Sequence, residues 1–373
     1  MKFITYNESP GGVYKSQVID VCRFLENTFH IEVELIVFVS LRTYFKDRKL
    51  LKKLYSNCSV LPSFPGIENW RRNLLTLKLL MLFRKKDKAI ARGVFATLLA
   101  LDCKKFSAVC FDARTAYAAE WKEYLASESP AIAAVMNVLE KEALLRSNFR
   151  IAISTKLVSY WKEKYKYDKN EHVVIPCTID GGSELKTSNQ HSIIELRKQL
   201  DVNETDILLV FSGSIAGWQS LDELYRILIN AFNSNTSLKL LQLIKKKEEN
   251  ELSAAFPGRV ITEWVEPEMV SNYLKAADYG LLYREESITN SISSPVKFAE
   301  YLAAGLPVII SDNVGDYSSF VKENNCGLSF NHIDWATLKS PSAIEKERIK
   351  EIAIRHFTKS AYTIQYKQIV EMV

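Results

Sequence analysis

The stretch that decides the fold is SPVKFAEYLAAGLPVII, which spans residues 294–310. Its first part spaces apolar residues at the period of a helix, and it opens with a serine and a proline, which are favoured at helix starts. Its last part is a short β-rich run that follows a glycine. We predict a helix over residues 295–304 and a strand over residues 307–311, the alternation that builds a parallel sheet covered by helices.

The same alternation extends along most of the chain in two series. Strands are predicted in the first series at residues 2–6, 34–39, 108–112, 151–154 and 173–175, and in the second at residues 207–212, 238–244, 260–265, 279–283 and 307–311. A polar, glycine-containing stretch at residues 178–190 interrupts the periodicity and is typical of a linker. We therefore predict an α/β protein of two doubly wound domains that face each other across a cleft.

The length of the chain agrees with two domains. The 373 residues suffice for two cores, since single domains have roughly 100 to 200 residues. We place the first domain at residues 1–180 and the second at residues 181–355, and residues 356–373 form an amphipathic C-terminal segment. In such a pair, the ligand is expected where the carboxyl ends of the two sheets face each other.

The composition disfavours several classes of protein. No apolar run is long enough to span a membrane and the N-terminus does not resemble a signal peptide, so we predict a cytoplasmic location. The six cysteines form no C-x-x-C pair and the five histidines do not cluster, which disfavours a disulfide framework and a metal site. No G-x-G-x-x-G motif follows a strand, which disfavours an NAD-linked enzyme.

Positive charge is concentrated in one quarter of the chain. Residues 42–92 contain fourteen Lys or Arg against three acids, a balance of +11, whereas the whole chain carries +5. Within this region, residues 70–88 predict a helix that is apolar in the middle and basic at both ends. Two interpretations are open: an interfacial helix on an anionic membrane face, or a core helix with solvated basic ends. The apolar centre and the absence of interleaved exposed aromatics disfavour nucleic-acid binding.

The predicted helix at residues 295–304 carries a candidate anion site. Ser294 is a suitable N-cap and Pro295 a suitable first residue, which leaves backbone N–H groups at the positive end of the helix dipole. Lys297 adds a charge in the first turn, and Glu300 lies on the same face, where its carboxylate can accept hydrogen bonds from a ribose diol. The alternative is a capped helix with a Lys–Glu pair on its solvated surface.

Several motifs together resemble one enzyme family. The stretch SPVKFAEYLAAGLPVII is similar to the donor-site signature of nucleotide-sugar glycosyltransferases with two Rossmann-like domains, the GT-B fold. The likeness is strongest to the large bacterial family that builds capsule, O-antigen and other envelope polysaccharides. The segments SPGGVYKSQVIDVCRFLE, FDARTAYAAEW, LLVFSGSIAGWQSLDELY and VITEWVEPEMVSNYLKAADYGLLY precede it in the order that the family shows. The resemblance also implies that residues 356–373 return to the first domain.

The resemblance implies donor-site roles for residues of both domains. Arg284 and Lys297 would neutralise the diphosphate leaving group as catalytic residues, and Glu300 would bind ribose. The remaining substrate-binding positions that it implies are Gly11, Gly12, Gly213, Ser214, Val265, Asn290, Ser294 and Pro295. Positive charge of this kind stabilises a leaving diphosphate without a metal, so no metal and no cofactor are predicted.

Catalytic roles in the first domain are implied for Asp112 and Arg114. Asp112 could be the base for the acceptor hydroxyl in an inverting enzyme or could orient the donor sugar in a retaining one. Arg114 needs an anionic partner or ligand if it is buried, and Glu120 is the nearest candidate partner in sequence. Strand-end residues with a purely structural role are the alternative.

The sequence departs from the family pattern at two points. Many members have a glutamate eight positions before the one matched by Glu300, and Ile292 stands there. Residues 212–220, where relatives have basic side chains, contain none. The lack of basic side chains there makes Arg284 more important as a phosphate-binding cation.

The function that follows is transfer of a sugar from a UDP- or GDP-sugar to a saccharide or lipid-linked saccharide acceptor. The basic first domain would face the inner leaflet of the cytoplasmic membrane as a peripheral protein. A nucleotide-sugar epimerase or phosphorylase on the same fold is one alternative. A non-catalytic scaffold that binds a partner glycosyltransferase or a polysaccharide is another.

Overall fold

The structure is a computed structural model that describes residues 1–180, 190–213, 220–245 and 250–372. The chain divides into two compact units. The first contains Met1–Thr178 together with the C-terminal segment from Tyr362, and the second contains Ile179–Ala361.

The first domain is built on a seven-stranded sheet within the described residues. Its strands are β1 Lys2–Tyr6, β2 Glu34–Ser40, β3 Cys58–Ser63, β4 Asp87–Arg92, β5 Phe106–Ala113, β6 Phe149–Ala152 and β7 His172–Val174. All neighbouring pairs are parallel, in the order β3-β2-β1-β4-β5-β6-β7. Strand β2, ELIVFVS, is nearly all apolar, as expected of a parallel strand that is buried on both faces.

Helices pack on this sheet at both faces and connect its strands. They are α1 Gly12–Tyr14, α2 Asp20–Phe29, α3 Tyr44–Leu54, α4 Asn73–Leu80, α5 Gly93–Cys103, α6 Tyr117–Glu120, α7 Pro130–Arg146 and α8 Thr155–Tyr165. Single-turn π-helical segments occur at Lys15–Ile19 and Trp121–Leu125, and a 3₁₀ segment occurs at Ile67–Arg72.

The second domain repeats the arrangement with six strands in its described part. They are β8 Ile207–Ser212, β9 Leu238–Leu243, β10 Val260–Glu263, β11 Tyr279–Leu282, β12 Val308–Ile310 and β13 Gly327–Ser329. Their order is β10-β9-β8-β11-β12-β13, again parallel throughout. Its helices are α9 Gln190–Gln199, α10 Leu221–Ser234, α11 Glu251–Ala255, α12 Pro267–Ala276, α13 Ile288–Ile292, α14 Val296–Ala303, α15 Tyr317–Asn324 and α16 Ala343–Phe357.

Both sheets have the doubly wound strand order. Six strands of each sheet follow the pattern 3-2-1-4-5-6 when counted within their own domain, which is the Rossmann order. The predicted α/β fold class of two Rossmann-like domains is confirmed. In such sheets a ligand binds at the carboxyl ends of the strands beside the point where the order reverses. That point lies between β1 and β4 in the first sheet and between β8 and β11 in the second.

The C-terminal return begins later than the sequence indicated. The predicted return started at residue 356, but α16 continues to Phe357 and packs Ile349, Ala353 and Phe357 into the core of the second domain. After a 3₁₀ segment at Lys359–Tyr362, helix α17 at Thr363–Glu371 packs Tyr366 and Ile369 into the core of the first domain. Apolar residues at helical spacing on both sides of the crossing make the boundary hard to locate in the sequence.

The predicted helix over residues 70–88 is wrong in its second half. Helix α4 ends at Leu80, and Asp87 begins strand β4. The apolar centre of this segment is not enclosed: Leu75 is 63%, Leu79 62% and Phe83 94% exposed. The helix therefore presents an apolar face to its surroundings, because only Asn73 and Leu77 within it are buried.

Candidate functional site

The carboxyl edge of the second sheet carries Arg284, two residues after β11. Its backbone N–H donates to Ser311 Oγ at 2.8 Å, and Ser311 Oγ donates in turn to the Arg284 carbonyl at 2.9 Å. Ser311 directly follows β12, so two neighbouring strand ends hold the backbone of this arginine. Arg284 is only 7% exposed, and a guanidinium buried to this extent needs negative charge nearby.

Helix α14 and the two residues before it contain four further predicted residues: Ser294, Pro295, Lys297 and Glu300. The helix begins at Val296 with Pro295 as its N-cap, so the prediction of Ser294 as N-cap is one residue off. Ser294 is buried, and its hydroxyl forms a hydrogen bond of 2.6 Å with the Tyr317 hydroxyl. The start of the helix is thus fixed by a contact with α15, and the N–H groups of the first turn follow a proline that provides no side-chain cap.

The ammonium group of Lys297 is the most unusual feature of this site. Its Nζ is buried and has no hydrogen-bond partner among the residues that the structure describes. It lies 5.2 Å from the centroid of the Phe211 ring. Burial, together with the repulsion of Arg284, lowers the pKa of Lys297 to about 7, and Glu300 opposes this shift. Two basic side chains therefore share a poorly solvated position, and the Nζ of Lys297 has no hydrogen-bond acceptor within the described residues.

Glu300 lies one turn further along α14 and is partly buried. Its neighbour Tyr301 anchors this turn to the sheet, because the Tyr301 hydroxyl accepts from the Ser212 backbone N–H at 3.0 Å. A Cβ at Gly280 would lie 2.4 Å from the Tyr301 ring, so only glycine allows the helix to pack this close to β11. Lys297 and Glu300 thus project from a helix whose distance from the strand ends is set by direct packing.

The remaining predicted donor-site residues differ in what they contact. Gly213 follows β8, and its N–H donates to the Leu243 carbonyl at 3.1 Å. Ser214 lies outside the described residues. Val265 follows the end of β10 and packs partly buried against the core. The Asn290 side chain is buried and donates to the Glu285 carbonyl at 2.9 Å, so it holds a loop. Ile292, which replaces the glutamate of the family pattern, is 3% exposed.

The first domain brings Asp112 and Arg114, two of the predicted site residues, into contact and adds a residue that the prediction missed. Asp112 is the penultimate residue of strand β5 and is 3% exposed. One of its oxygens lies 3.2 Å from Arg114 Nη1, and the other lies 3.3 Å from Arg92 Nη1. Because both oxygens are paired with guanidinium groups, the carboxylate serves as an ion-pair partner for two cations.

Arg92 extends this network to the loop after β1. Its Nε lies 2.8 Å from Glu8 Oε2. Arg114 also donates to Gln17 Oε1 at 3.2 Å and to Cys177 Sγ at 3.0 Å, so its partners differ from the predicted Glu120. The only sequence signal for Arg92 was its position at the end of a short apolar run.

Glu120 belongs to different surroundings. Burial and the nearby Glu140 carboxylate raise the pKa of Glu120 to about 7.

Gly11 and Gly12 are exposed at the start of α1, and an added Cβ at either position would meet nothing within 4 Å. The protein itself therefore does not require glycine there, and the backbone is open to an external group.

These features define the class of the protein. The chain contains two Rossmann-like domains, as GT-B proteins do, and several solved structures that it resembles are named as glycosyltransferases. HepE from Anabaena in complex with UDP aligns with a TM-score of 0.70 and 14% identity over 100% of each chain. Sucrose-phosphate synthase from Thermosynechococcus elongatus aligns with a TM-score of 0.67 and 14% identity, over 99% of this chain and 98% of that chain. The lipopolysaccharide outer core galactosyltransferase WaaB, in its apo form, aligns with a TM-score of 0.65 and 15% identity over 99% of each chain.

The family match concerns the second domain. Residues 220–361 match the model of the glucosyltransferase 3-like C-terminal domain. The structural similarities establish the GT-B fold, and this match shows that the second domain is similar to a glucosyltransferase domain, in agreement with the predicted resemblance to GT-B glycosyltransferases. Comparison with curated protein sequences found no match.

Two kinds of feature are absent from the described residues. No group of three or more His, Cys, Asp or Glu side chains in that part of the chain could hold a metal ion. No helix there is long and apolar enough to cross a membrane.

Proposed function

We propose that the second domain binds a nucleoside-diphosphate sugar and that the enzyme transfers the sugar to a saccharide or lipid-linked saccharide. The observation that supports this most directly is the buried Lys297 ammonium beside Arg284. A buried cation without a partner is unfavourable, and a second cation at its side adds repulsion. A diphosphate would supply two or more negative charges at this point and would convert the repulsion into binding energy.

The same two cations support a role in the chemical step. Cleavage of the bond between the sugar and the diphosphate leaves negative charge on the phosphate oxygens. Fixed positive charge in a poorly solvated site stabilises such charge strongly, because no solvent has to reorganise. We propose that Arg284 and Lys297 provide this stabilisation and that transfer needs no divalent metal. Glu300, three residues from Lys297, is in our proposal the acceptor for the ribose hydroxyls.

A similar structure supports uridine as the nucleotide. The HepE structures contain UDP, UDP with glucose, or UDP-glucose, and this fold relative covers the whole chain. We therefore propose a UDP-sugar in preference to a GDP-sugar. The lipopolysaccharide enzymes among the similar structures support a role in envelope polysaccharide synthesis, such as capsule or O-antigen, at the cytoplasmic face of the membrane.

Nucleotide binding tests the donor site. Calorimetric titration with UDP, GDP, UDP-glucose and GDP-mannose should show binding of one nucleotide class, and Lys297→Ala should weaken it by roughly 30- to 1,000-fold, the range for a buried charge contact. Glu300→Ala should weaken the nucleotide more than inorganic pyrophosphate. Lys322→Ala, an exposed lysine on α15, is the matched control. Equal affinities in all four proteins would place the pocket elsewhere.

Product analysis separates the remaining alternatives. A transferase should release UDP or GDP faster when a saccharide acceptor is added, and should do so in the presence of a metal chelator. An epimerase would change the donor sugar without an acceptor. A non-catalytic scaffold, the alternative that Ile292 favours, would bind a polysaccharide or a partner enzyme and leave every nucleotide sugar intact.

We also propose that residues 42–92 contact an anionic membrane surface. Leu75, Leu79 and Phe83 are exposed apolar side chains on and just after α4. Exposed basic residues flank them: Arg71, Arg72, Lys78, Lys85 and Lys86. Apolar side chains within a basic rim match the headgroup boundary of an anionic leaflet.

Vesicle sedimentation tests this surface. The protein should sediment with vesicles that contain phosphatidylglycerol and much less with pure phosphatidylcholine, and binding should fall with salt. Phe83→Ser should weaken binding several-fold. Ile344→Ser, which changes an 84% exposed residue of the second domain, should have no effect. Equal sedimentation with both lipids would contradict the proposal.

A further inference from the structure

The first domain contains a pocket at the carboxyl ends of β1 and β4. Its volume is about 150 Å³. This is the point where the strand order reverses, the usual ligand position in a doubly wound sheet. The volume is below the roughly 300 Å³ at which pockets for drug-sized ligands begin. A single small ring would therefore fit, and a nucleotide would not.

The charges in this pocket are already balanced. Arg92 is buried, and its Nε contacts both carboxylate oxygens of Glu8, at 2.8 and 3.1 Å. Arg92 also pairs with Asp112, and Asp112 pairs with Arg114. Two guanidinium groups thus face two carboxylates within one connected network. A ligand that brought its own charge would have to displace one of these partners.

The lining of the pocket also contains aromatic side chains. Tyr6, Phe95 and Tyr117 line it, and the Tyr6 and Phe95 rings lie 5.7 Å apart between centroids. Aromatic rings offer an apolar face to C–H groups, and Tyr6 and Tyr117 add a polar tip. Glu8 keeps 32% of its side chain exposed, so its oxygens can still accept hydrogen bonds from a ligand.

We propose that this pocket is a subsite for one neutral hexose unit of the acceptor, with Glu8 and Arg92 as the pair that binds its hydroxyls. A pyranose combines a C–H face, which suits the aromatic side chains, with hydroxyl groups, which suit a carboxylate and a guanidinium. The inference rests on the proposed glycosyl transfer, because a donor-binding enzyme of this fold needs a place for its acceptor. It adds a selectivity: uronates and sugar phosphates are disfavoured, since Glu8 repels their charge.

Ligand-observed saturation-transfer NMR on the full chain tests the subsite. The probes are glucose, galactose, mannose, N-acetylglucosamine and glucuronate at millimolar concentration. We expect at least one neutral sugar to give signals in the wild type and glucuronate to give none. Glu8→Gln should weaken the neutral sugar by about fivefold or more and allow glucuronate to bind, because the network then carries a net positive charge.

Two control variants show whether the effect on binding comes from the charge of Glu8. Glu8→Asp keeps the charge and shortens the side chain, so it should weaken the neutral sugar and still exclude glucuronate. Glu128→Gln changes an exposed glutamate of the same domain and should behave as the wild type. Stronger binding of glucuronate than of every neutral sugar by the wild type, or identical signals in wild type and Glu8→Gln, would overturn the inference.

A parallel UDP titration separates this inference from the proposed function. UDP binding without any neutral sugar signal would refute the subsite and leave the donor site intact. A neutral sugar signal that depends on Glu8, without binding of any nucleotide, would support the subsite and refute the donor site. Lys297→Ala should leave the sugar signals unchanged, because Lys297 belongs to the other domain.

Discussion

The two sheets of this chain have the same strand order but treat buried positive charge in opposite ways. At the edge of the first sheet, Arg92 is held by the carboxylates of Glu8 and Asp112. At the edge of the second sheet, the Nζ of Lys297 is buried near Arg284 and has no hydrogen-bond partner within the described residues. One fold pattern thus carries a balanced site in one domain and an unbalanced site in the other.

The difference indicates what each edge was selected to bind. A paired cation such as Arg92 is stable in the empty protein, and its network can receive a neutral ligand through hydrogen bonds. An unpaired cation such as Lys297 lowers the stability of the empty protein and is explained by a ligand that brings the missing negative charge. The residue types are similar, so their partners, and not their charge, distinguish the two sites.

The largest effect is expected from removal of the paired cation. Arg92→Met should destabilise the first domain by about 3–5 kcal/mol, because it leaves Glu8 and the buried Asp112 without a major partner. Chemical unfolding monitored by tryptophan fluorescence measures this loss. Arg71→Met, at an exposed arginine of the same domain, should change stability by less than about 0.5 kcal/mol. An equally small effect of Arg92→Met would show that the ion pairs of Arg92 with Glu8 and Asp112 do not stabilise the first domain.

The corresponding change in the second domain should have the opposite sign. Lys297→Met should stabilise the ligand-free protein by about 1–3 kcal/mol near pH 6, because it removes a buried charge that lacks a partner. The same variant should lose nucleotide binding. A stability gain coupled to a loss of binding is the signature of a strained functional site. Destabilisation by Lys297→Met would contradict the contrast between the two edges.

The pH dependence of this gain follows from the lowered pKa of Lys297. The pKa is about 7 in the folded protein and 10.5 as the ordinary value. Below pH 7 the lysine is protonated in both states, so the folded protein carries the full cost of the buried charge. Between pH 7 and 10.5 the unfolded state binds more protons, so the stability of the wild type rises with pH. The advantage of Lys297→Met should therefore shrink from pH 6 to pH 9, as measured by unfolding at each pH.

The sequence predicted those parts of the molecule that local pattern determines. The helix and strand of residues 294–310 were predictable because cap residues and an apolar period mark them. Strand β4 was missed, since its apolar core is only Ala89, Ile90 and Ala91 between charged residues. The cap at Ser294 was misplaced by one residue because its hydroxyl pairs with Tyr317, 23 positions away.

The balanced network in the first domain could not be predicted because its members lie far apart in the sequence. Glu8 and Arg92 are 84 positions apart, and only the adjacency of β1 and β4 brings them together. The strand order decides which loop meets which strand end, and that order is not encoded in any local spacing. In contrast, Lys297 and Glu300 could be placed side by side from the sequence because both lie on one helix, three residues apart.

The smallest effect, and the most specific to the unbalanced site, is proton uptake when a nucleotide binds. With a pKa of about 7 in the empty site, Lys297 is mostly neutral at pH 8, and a bound diphosphate would restore its charge. Calorimetric titration at pH 8 in two buffers of different ionisation enthalpy should therefore show uptake of about 0.5 to 1 proton per UDP. Lys297→Arg, which stays charged in the empty site, should bind UDP with no uptake from this position. Equal uptake in the wild type and in Lys297→Arg would assign the proton to another group, and the second edge would then lack the feature that separates it from the first.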